Sequence, residues 1–304
     1  MNFAIAFPKR GTGGSQPSLA LRAIGFVPLF LVVMAVHAAD VAITPPKFEV
    51  VIGDRPVTES LRIFNFSDKP TELEISVANW ILDQNNEVVI VEPTEQSLDQ
   101  WMLINPLRLT VPAKDSATVR FSIRPRVAPE PGEHRALIYV SEVNPQLVGN
   151  LLVRGKIGVA VYGYVGEVTR TAELHGCEMV FGPEGNGVLI DIANKGTAHV
   201  RINGQYAIWP ANAYPGKEST QTIPNLDKPD QVLPEHVLEA GKIPETPILP
   251  GYRRKMGAAF RKDLPPGDYM LDLNGKVGAA VLDEAIPFTI TEPETKKDGE
   301  KSAQ

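Results

Sequence analysis

From Leu151 to Tyr162 the side chains alternate with a period of two. The odd positions read Leu151, Val153, Gly155, Ile157, Val159 and Val161, and the even ones Leu152, Arg154, Lys156, Gly158, Ala160 and Tyr162. One face is almost wholly apolar and the other mixed, which predicts a β-strand of roughly 35 Å at about 3.3 Å per residue. It follows a second strand-like run, Ala136 to Val143, and precedes a change in sequence character near Gly163, so it reads as the last strand of a first domain. Last strands of sandwiches often lie at an edge. A long apolar edge calls for a cover from the same chain or for a partner strand that adds to it.

Short alternating runs recur along the chain from residue 41, and helical periodicity is nearly absent. Candidate strands are Lys47 to Ile52, Glu59 to Asn65, Thr71 to Leu82, Val88 to Val91, Leu107 to Val111, Ala117 to Ile123 and the two runs above. Turn signals such as Gly53-Asp54, Ser67 to Pro70, Asp83 to Asn86, Pro112 to Asp115 and Pro129 to Gly132 separate them. The pattern leaves Leu98 to Ile104 open between a helical turn and a strand. After Gly166 it restarts at Gly187 to Ile192, His199 to Ile202, Gln205 to Trp209, Lys255 to Arg261, Tyr269 to Leu273 and Ile286 to Ile290. The fold class predicted is all-β, with two immunoglobulin-like β-sandwich domains in tandem over 40–163 and 165–291. The stretch 210–250 carries eight prolines and is expected to be a long surface excursion. The polar ending 292–304 is expected to be a disordered tail.

The N-terminus carries Lys9, Arg10 and Arg22 and no acid, followed by the apolar run Ala23 to Val36 and then His37-Ala38-Ala39. This predicts a secretory signal peptide over 1–38, cut after Ala38 or Ala39, which N-terminal sequencing of the exported chain reads directly. An uncleaved anchor is the alternative. The run is shorter than the roughly 20 residues of a spanning helix and contains Pro28. The charged leader is long, which leaves open a start downstream of Met1. Export places the mature chain in the periplasm, without membrane insertion. It would carry 27 Lys and Arg against 36 Asp and Glu, a net charge of −9, which excludes the basic footprint of a nucleic-acid binder. Cys177 is the only cysteine, so no internal disulfide is available and a buried, small-hydrophobe role is expected for it.

Catalytic signatures are missing from the sequence. His37, His134, His175, His199 and His236 are scattered without metal-ligand spacing, and His175-Gly-Cys177 is the only close pair of soft ligands. There is no Gly-x-Ser-x-Gly, no His-Glu-x-x-His and no phosphate loop. Gly182 to Gly187 lacks the lysine of a phosphate loop and reads as a hairpin turn. No enzyme, metal or cofactor is expected.

Four runs in register give the first domain a resemblance. They are Ser76-Val-Ala-Asn-Trp-Ile81, Asn105-Pro-Leu-Arg-Leu109, Val111-Pro112 leading into Ala117-Thr-Val-Arg-Phe121, and Glu133-His-Arg-Ala-Leu-Ile-Tyr139. Together they resemble the PapD-like periplasmic chaperones of chaperone–usher pilus assembly, over about residues 43–163. The resemblance implies pilin-like subunits and an outer-membrane usher as partners, and donor-strand complementation as the activity. In that activity an edge strand would place Leu151, Val153, Ile157, Val159 and Val161 in the groove of a subunit. It also implies a basic pair that anchors the subunit's terminal carboxylate. Lys47 takes the first position and Gly158 falls on the second, so Lys156, two residues earlier on the same face, stands in for it. A second departure places the family's interdomain Glu and Arg on Arg135 and Tyr162. The rival reading is a structural two-domain component of an envelope or surface assembly, with the apolar strand buried in a permanent interface.

Overall fold

The computed structural model describes residues 40–148, 151–182 and 185–291, with the side chains of 146–148 and 151 also outside the description. The expected signal peptide and tail lie outside these residues. The first half runs β1 Val41–Thr44, β2 Lys47–Ile52, β3 Val57–Asn65, β4 Thr71–Ala78, β5 Trp80–Leu82, β6 Val88–Ile90, a helical turn α1 Leu98–Trp101, β7 Met102–Asn105, β8 Arg108–Val111, β9 Ser116–Ile123, β10 Gly132–Glu142, β11 Gln146–Val148, β12 Leu151–Val153 and β13 Lys156–Val165. Two sheets, β1-β3-β9-β7 and β2-β13-β10-β4-β8, face each other across a core that includes Phe48, Leu61, Ile63, Ile75, Phe121, Ile138, Val159 and Val161. Strict alternation drives this packing. In β2 the residues Phe48, Val50 and Ile52 are buried, while Lys47, Glu49 and Val51 face out.

The chain enters by serving both sheets in turn. β1 pairs antiparallel with β3 in one sheet, and β2 pairs parallel with β13 in the other. Pro45 and Pro46 lie at the switch, where missing N–H groups interrupt a ladder. The segment left open at Leu98 to Ile104 holds both elements. Leu98 and Trp101 bury one face of α1, after which the chain extends into β7.

The last strand corrects the sequence reading in two ways. The single rod expected over 151–162 is two strands, with residues 154–155 between them still tied to Glu142 and Val143. The Glu142 N–H donates to the Gly155 carbonyl at 2.9 Å, the Gly155 N–H donates to Glu142 Oε2 at 3.1 Å, and Arg154 Nη2 donates to the Val143 carbonyl at 3.0 Å. Nor is the strand an edge throughout. β13 continues to Val165, and β2 covers it in parallel register from Lys47 opposite Ala160 to Ile52 opposite Val165. Gly163 permits this close cover, since a β-carbon there would stand 2.5 Å from Ile52 Cδ1.

The second half comprises β14 Ala172–Gly182, β15 Gly185–Asn194, β16 Ile202–Pro210, β17 Glu239–Lys242, β18 Arg253–Ala259, β19 Gly267–Val277 and β20 Ala280–Ile290. Sheets β14-β15-β18 and β17-β16-β19-β20 enclose a second core around Ile190, Ile192, Ile208, Leu271 and Leu273. β14 escapes a period-two reading because a bulge between Leu174 and Gly176 shifts its inward parity from Leu174 to Cys177 and Met179. Cys177 packs there, and burial, with Glu284 nearby, pushes its thiol up to about 11. The run His199 to Ile202 is not a full strand, and Val200 makes an isolated bridge with Ile248.

The proline-rich segment is more than a surface excursion. It supplies β17 at the edge of a sheet and buries Ile223, Leu226 and Val237 beside Trp209. Buried carboxylates tie it down. Asp272 accepts hydrogen bonds from Tyr214 at 2.9 Å and Thr220 at 3.2 Å, and Glu239 accepts from Tyr206 at 2.6 Å and from the N–H groups of Arg261 and Lys262.

Candidate functional site

Along β12 and the start of β13, among the described residues, no strand pairs with the edge that faces away from β10 and β11. β11 pairs with one side of β12, β10 pairs with one side of Lys156 to Val165, and β2 covers the other side only from Ala160 onward. Among the described residues a backbone edge is therefore open along residues 151–159, and the first residue of β2, Lys47, closes it.

The five side chains expected to serve a partner divide along this edge. Val159 and Val161 are 1% and 0% exposed within the first sandwich's own core, so they are not available to a groove. The alternation was read correctly, but on this half of the strand its apolar face meets the opposite sheet. Ile157 is half-buried at the rim of that core, and Val153 is 47% exposed. Leu151 opens β12, and its side chain is not among those described. Leu152, which fell on the mixed face of the sequence pattern, is 72% exposed.

Lys47 and Lys156 share the outer face of the same sheet without meeting. Lys47 stands opposite Ala160, four residues from Lys156, which is roughly 13 Å along the strand. The Lys47 ammonium is 2.8 Å from Glu49 Oε1. On the other oxygen, Oε2, Glu49 accepts the Tyr164 hydroxyl at 2.8 Å and lies 3.6 Å from Arg170 Nη2. Burial alone would raise the Glu49 carboxyl, but the hydrogen bonds from Lys47 and Tyr164 outweigh it and hold it at about 2. Burial and the Glu49 carboxylate together push the Tyr164 phenol up. Lys156 lies over the Tyr139 ring, with Nζ 3.7 Å from its centroid, a contact of about 0.5–1 kcal/mol at an exposed site. Gly158, directly across from Tyr139, has no side chain to cover that ring.

Between the sandwiches lies a buried polar link that differs from the sequence expectation. Arg135 and Tyr162 do face each other across β10 and β13, but the acid is Glu133, two residues earlier on the same face of β10. The Glu133 side chain is fully buried. Its Oε2 accepts the His199 N–H at 2.7 Å and Nδ1–H at 2.6 Å, and Oε1 lies 3.3 Å from Arg135 Nη1. Arg201 Nε donates to His199 Nε2 at 3.3 Å. Arg201 also donates to the Tyr162 hydroxyl at 3.1 Å and to the Glu245 carbonyl at 2.6 Å. Burial would raise the Glu133 carboxyl, yet the His199 hydrogen bonds and the Arg135 charge hold it below the ordinary range. Around the link pack Trp80, Leu82, Leu137, Tyr162 and Tyr164 of the first sandwich and Ala198 and Leu249 of the second. The acid lies in the Glu133 to Tyr139 run, but the sequence reading placed that position on Arg135. Its partner His199 lies 66 residues away, and no local pattern connects them.

Among the described residues no group of three His, Cys, Asp or Glu side chains is placed to hold a metal, and no helix is long and apolar enough to cross a membrane. No protein-family profile matches the chain, and no curated protein is significantly similar to it in sequence. Among solved structures, a chaperone–tip adhesin complex of CFA/I fimbriae biogenesis is similar at 13% identity, with 83% of this chain and 98% of that chain covered and a TM-score of 0.42. The class 5 fimbriae chaperone CfaA is similar at 14% identity, over 83% and 99% of the two chains, with a TM-score of 0.40. The CupB2 chaperone of Pseudomonas aeruginosa is similar at 11% identity, over 82% and 100%, also at 0.40.

Proposed function

We propose that this chain is a non-catalytic periplasmic chaperone that holds pilin-like subunits by accepting their C-terminal strand along the open edge at residues 151–159. The observation that carries the reading is that edge and its end point. A strand added in parallel to β13 would lie end to end with β2, so its carboxyl terminus would arrive beside Lys47. The four sequence runs in register support the same reading, and the export signal read at residues 1–38 supports the compartment.

Side chains alone do not suffice. Val153 and Ile157 at about 1.5–3 kcal/mol each supply about 3–6 kcal/mol together, which reaches only the low end of an association cost of about 4–15 kcal/mol. Main-chain ladder bonds to the preformed edge and an anchored chain end must supply the rest. Lys47 and Lys156 are the proposed anchors, as point charges rather than planar forks. Each would exchange its present partner, Glu49 or Tyr139, for the incoming carboxylate.

Lys47→Ala and Lys156→Ala are each expected to weaken binding of a subunit's C-terminal peptide by roughly 1–3 kcal/mol, with coupled effects. Amidating the peptide's C-terminus should remove most of the difference between wild type and variants in a titration. If the amidated peptide binds wild type as well as the free acid does, neither lysine is an anchor.

A further inference from the structure

The anchor beside the open edge is already occupied by a carboxylate of the same chain. Glu49 lies two residues along β2 from Lys47, on the same outward face, and its Oε1 holds the Lys47 ammonium at 2.8 Å. Its other oxygen is secured separately, by the Tyr164 hydroxyl at 2.8 Å and by Arg170 at 3.6 Å. Arg170 also stacks on Tyr164, with Cζ 4.9 Å from the ring centroid. The two oxygens thus have different duties. Glu49 can release Lys47 and remain seated on Tyr164 and Arg170, so exchange at Lys47 requires no rearrangement of the strand.

We propose that Glu49 is an internal competitor for the partner's terminal carboxylate, occupying Lys47 until a chain end displaces it. This rests on the reading of Lys47 as an anchor. A competitor of this kind sets a threshold for specificity: an incoming carboxylate gains only the difference between its own contact with Lys47 and the one that Glu49 gives up. Chain ends that also pair along residues 151–159 pass the threshold, and free carboxylates do not.

The test is a titration of the full mature chain with a peptide of about ten residues, alternating valine and threonine with two lysines at its N-terminus, made as free acid and as amide. Glu49→Gln keeps an acceptor for Tyr164 and removes the competing charge. It is expected to tighten the free acid about fivefold, the scale of a half-exposed ion pair, and to leave the amide within about 1.5-fold. If Glu49→Gln leaves the free acid unchanged while Lys47→Ala weakens it, Glu49 is no competitor although Lys47 is an anchor. If neither substitution changes the free acid, the anchor reading itself fails, and the proposal with it. Should Glu49→Gln disturb the fold, Glu49→Asp withdraws the charge from Lys47 by one methylene. It is then expected to give a smaller gain of the same sign, and no gain overturns the proposal.

Discussion

Glu133→Ala is expected to lower the unfolding free energy by about 3–5 kcal/mol and to loosen the two sandwiches from each other, because it removes one member of a buried, charged network. The carboxylate is fully buried and is the common acceptor for two His199 donors and Arg135, and through His199 it reaches Arg201 and Tyr162. Its loss leaves those donors facing an apolar cavity rather than water. Urea unfolding measures the first effect, and small-angle scattering of the folded chain measures the second. A loss under 1 kcal/mol would show that the apolar packing of Trp80, Tyr162 and Leu249 holds the interface by itself.

The same residue sets an acid limit. The Glu133 carboxyl is held below its ordinary value of 4.5 in the fold, so its contribution is fully present above that value and is lost as the pH falls through the folded one. Glu49, held at about 2, adds a weaker acid-sensitive contribution between 4.5 and 2, weaker because it is partly exposed. Glu133→Gln preserves the shape without the charge and should flatten the acid side of the stability profile.

Val153→Asp is expected to reduce capture of a subunit at least a hundredfold, about 2.7 kcal/mol, while changing the stability of the free chain by less than about 0.5 kcal/mol. Val153 is half exposed in the free protein, so an aspartate there remains solvated. On the proposed edge it would be pressed against an apolar groove without a partner, at a cost of several kcal/mol. Ile157→Asp should impair both binding and folding, since Ile157 also lines the rim of the first core. Val281→Asp, at a well exposed position on β20, serves as the control and should bind as wild type does. Unchanged capture by Val153→Asp would mean that β12 is not part of the contact.

Local pattern carried much of the architecture. Lys47-Phe-Glu-Val-Val-Ile52 was read as a strand and is one over those very residues, and the runs Tyr269 to Leu273 and Ile286 to Ile290 lie within β19 and β20, which extend further and meet in a hairpin. What local pattern cannot carry is which surface an apolar face meets. Val159 looks the same in sequence whether it fills its own core or a partner's, and only the facing sheet decides. Parallel pairing of β2 with β13 joins residues more than a hundred positions apart, and it turned the end of the expected edge, from Ala160 onward, into an interior strand. The cleft followed the same rule: Glu133 and His199 each looked unremarkable, and their meeting depends on how two sandwiches dock.

An extended chain end of the partner is expected along the edge at residues 151–159. Photo-cross-linking from position 153 in the periplasm of living cells, with position 281 as control, tests it most directly. Adducts from 153 that map to the C-terminal strand of a small secreted subunit, and none from 281, are the predicted result. Adducts from 153 only to a second copy of this chain, or a yield no greater than that from 281, would contradict it.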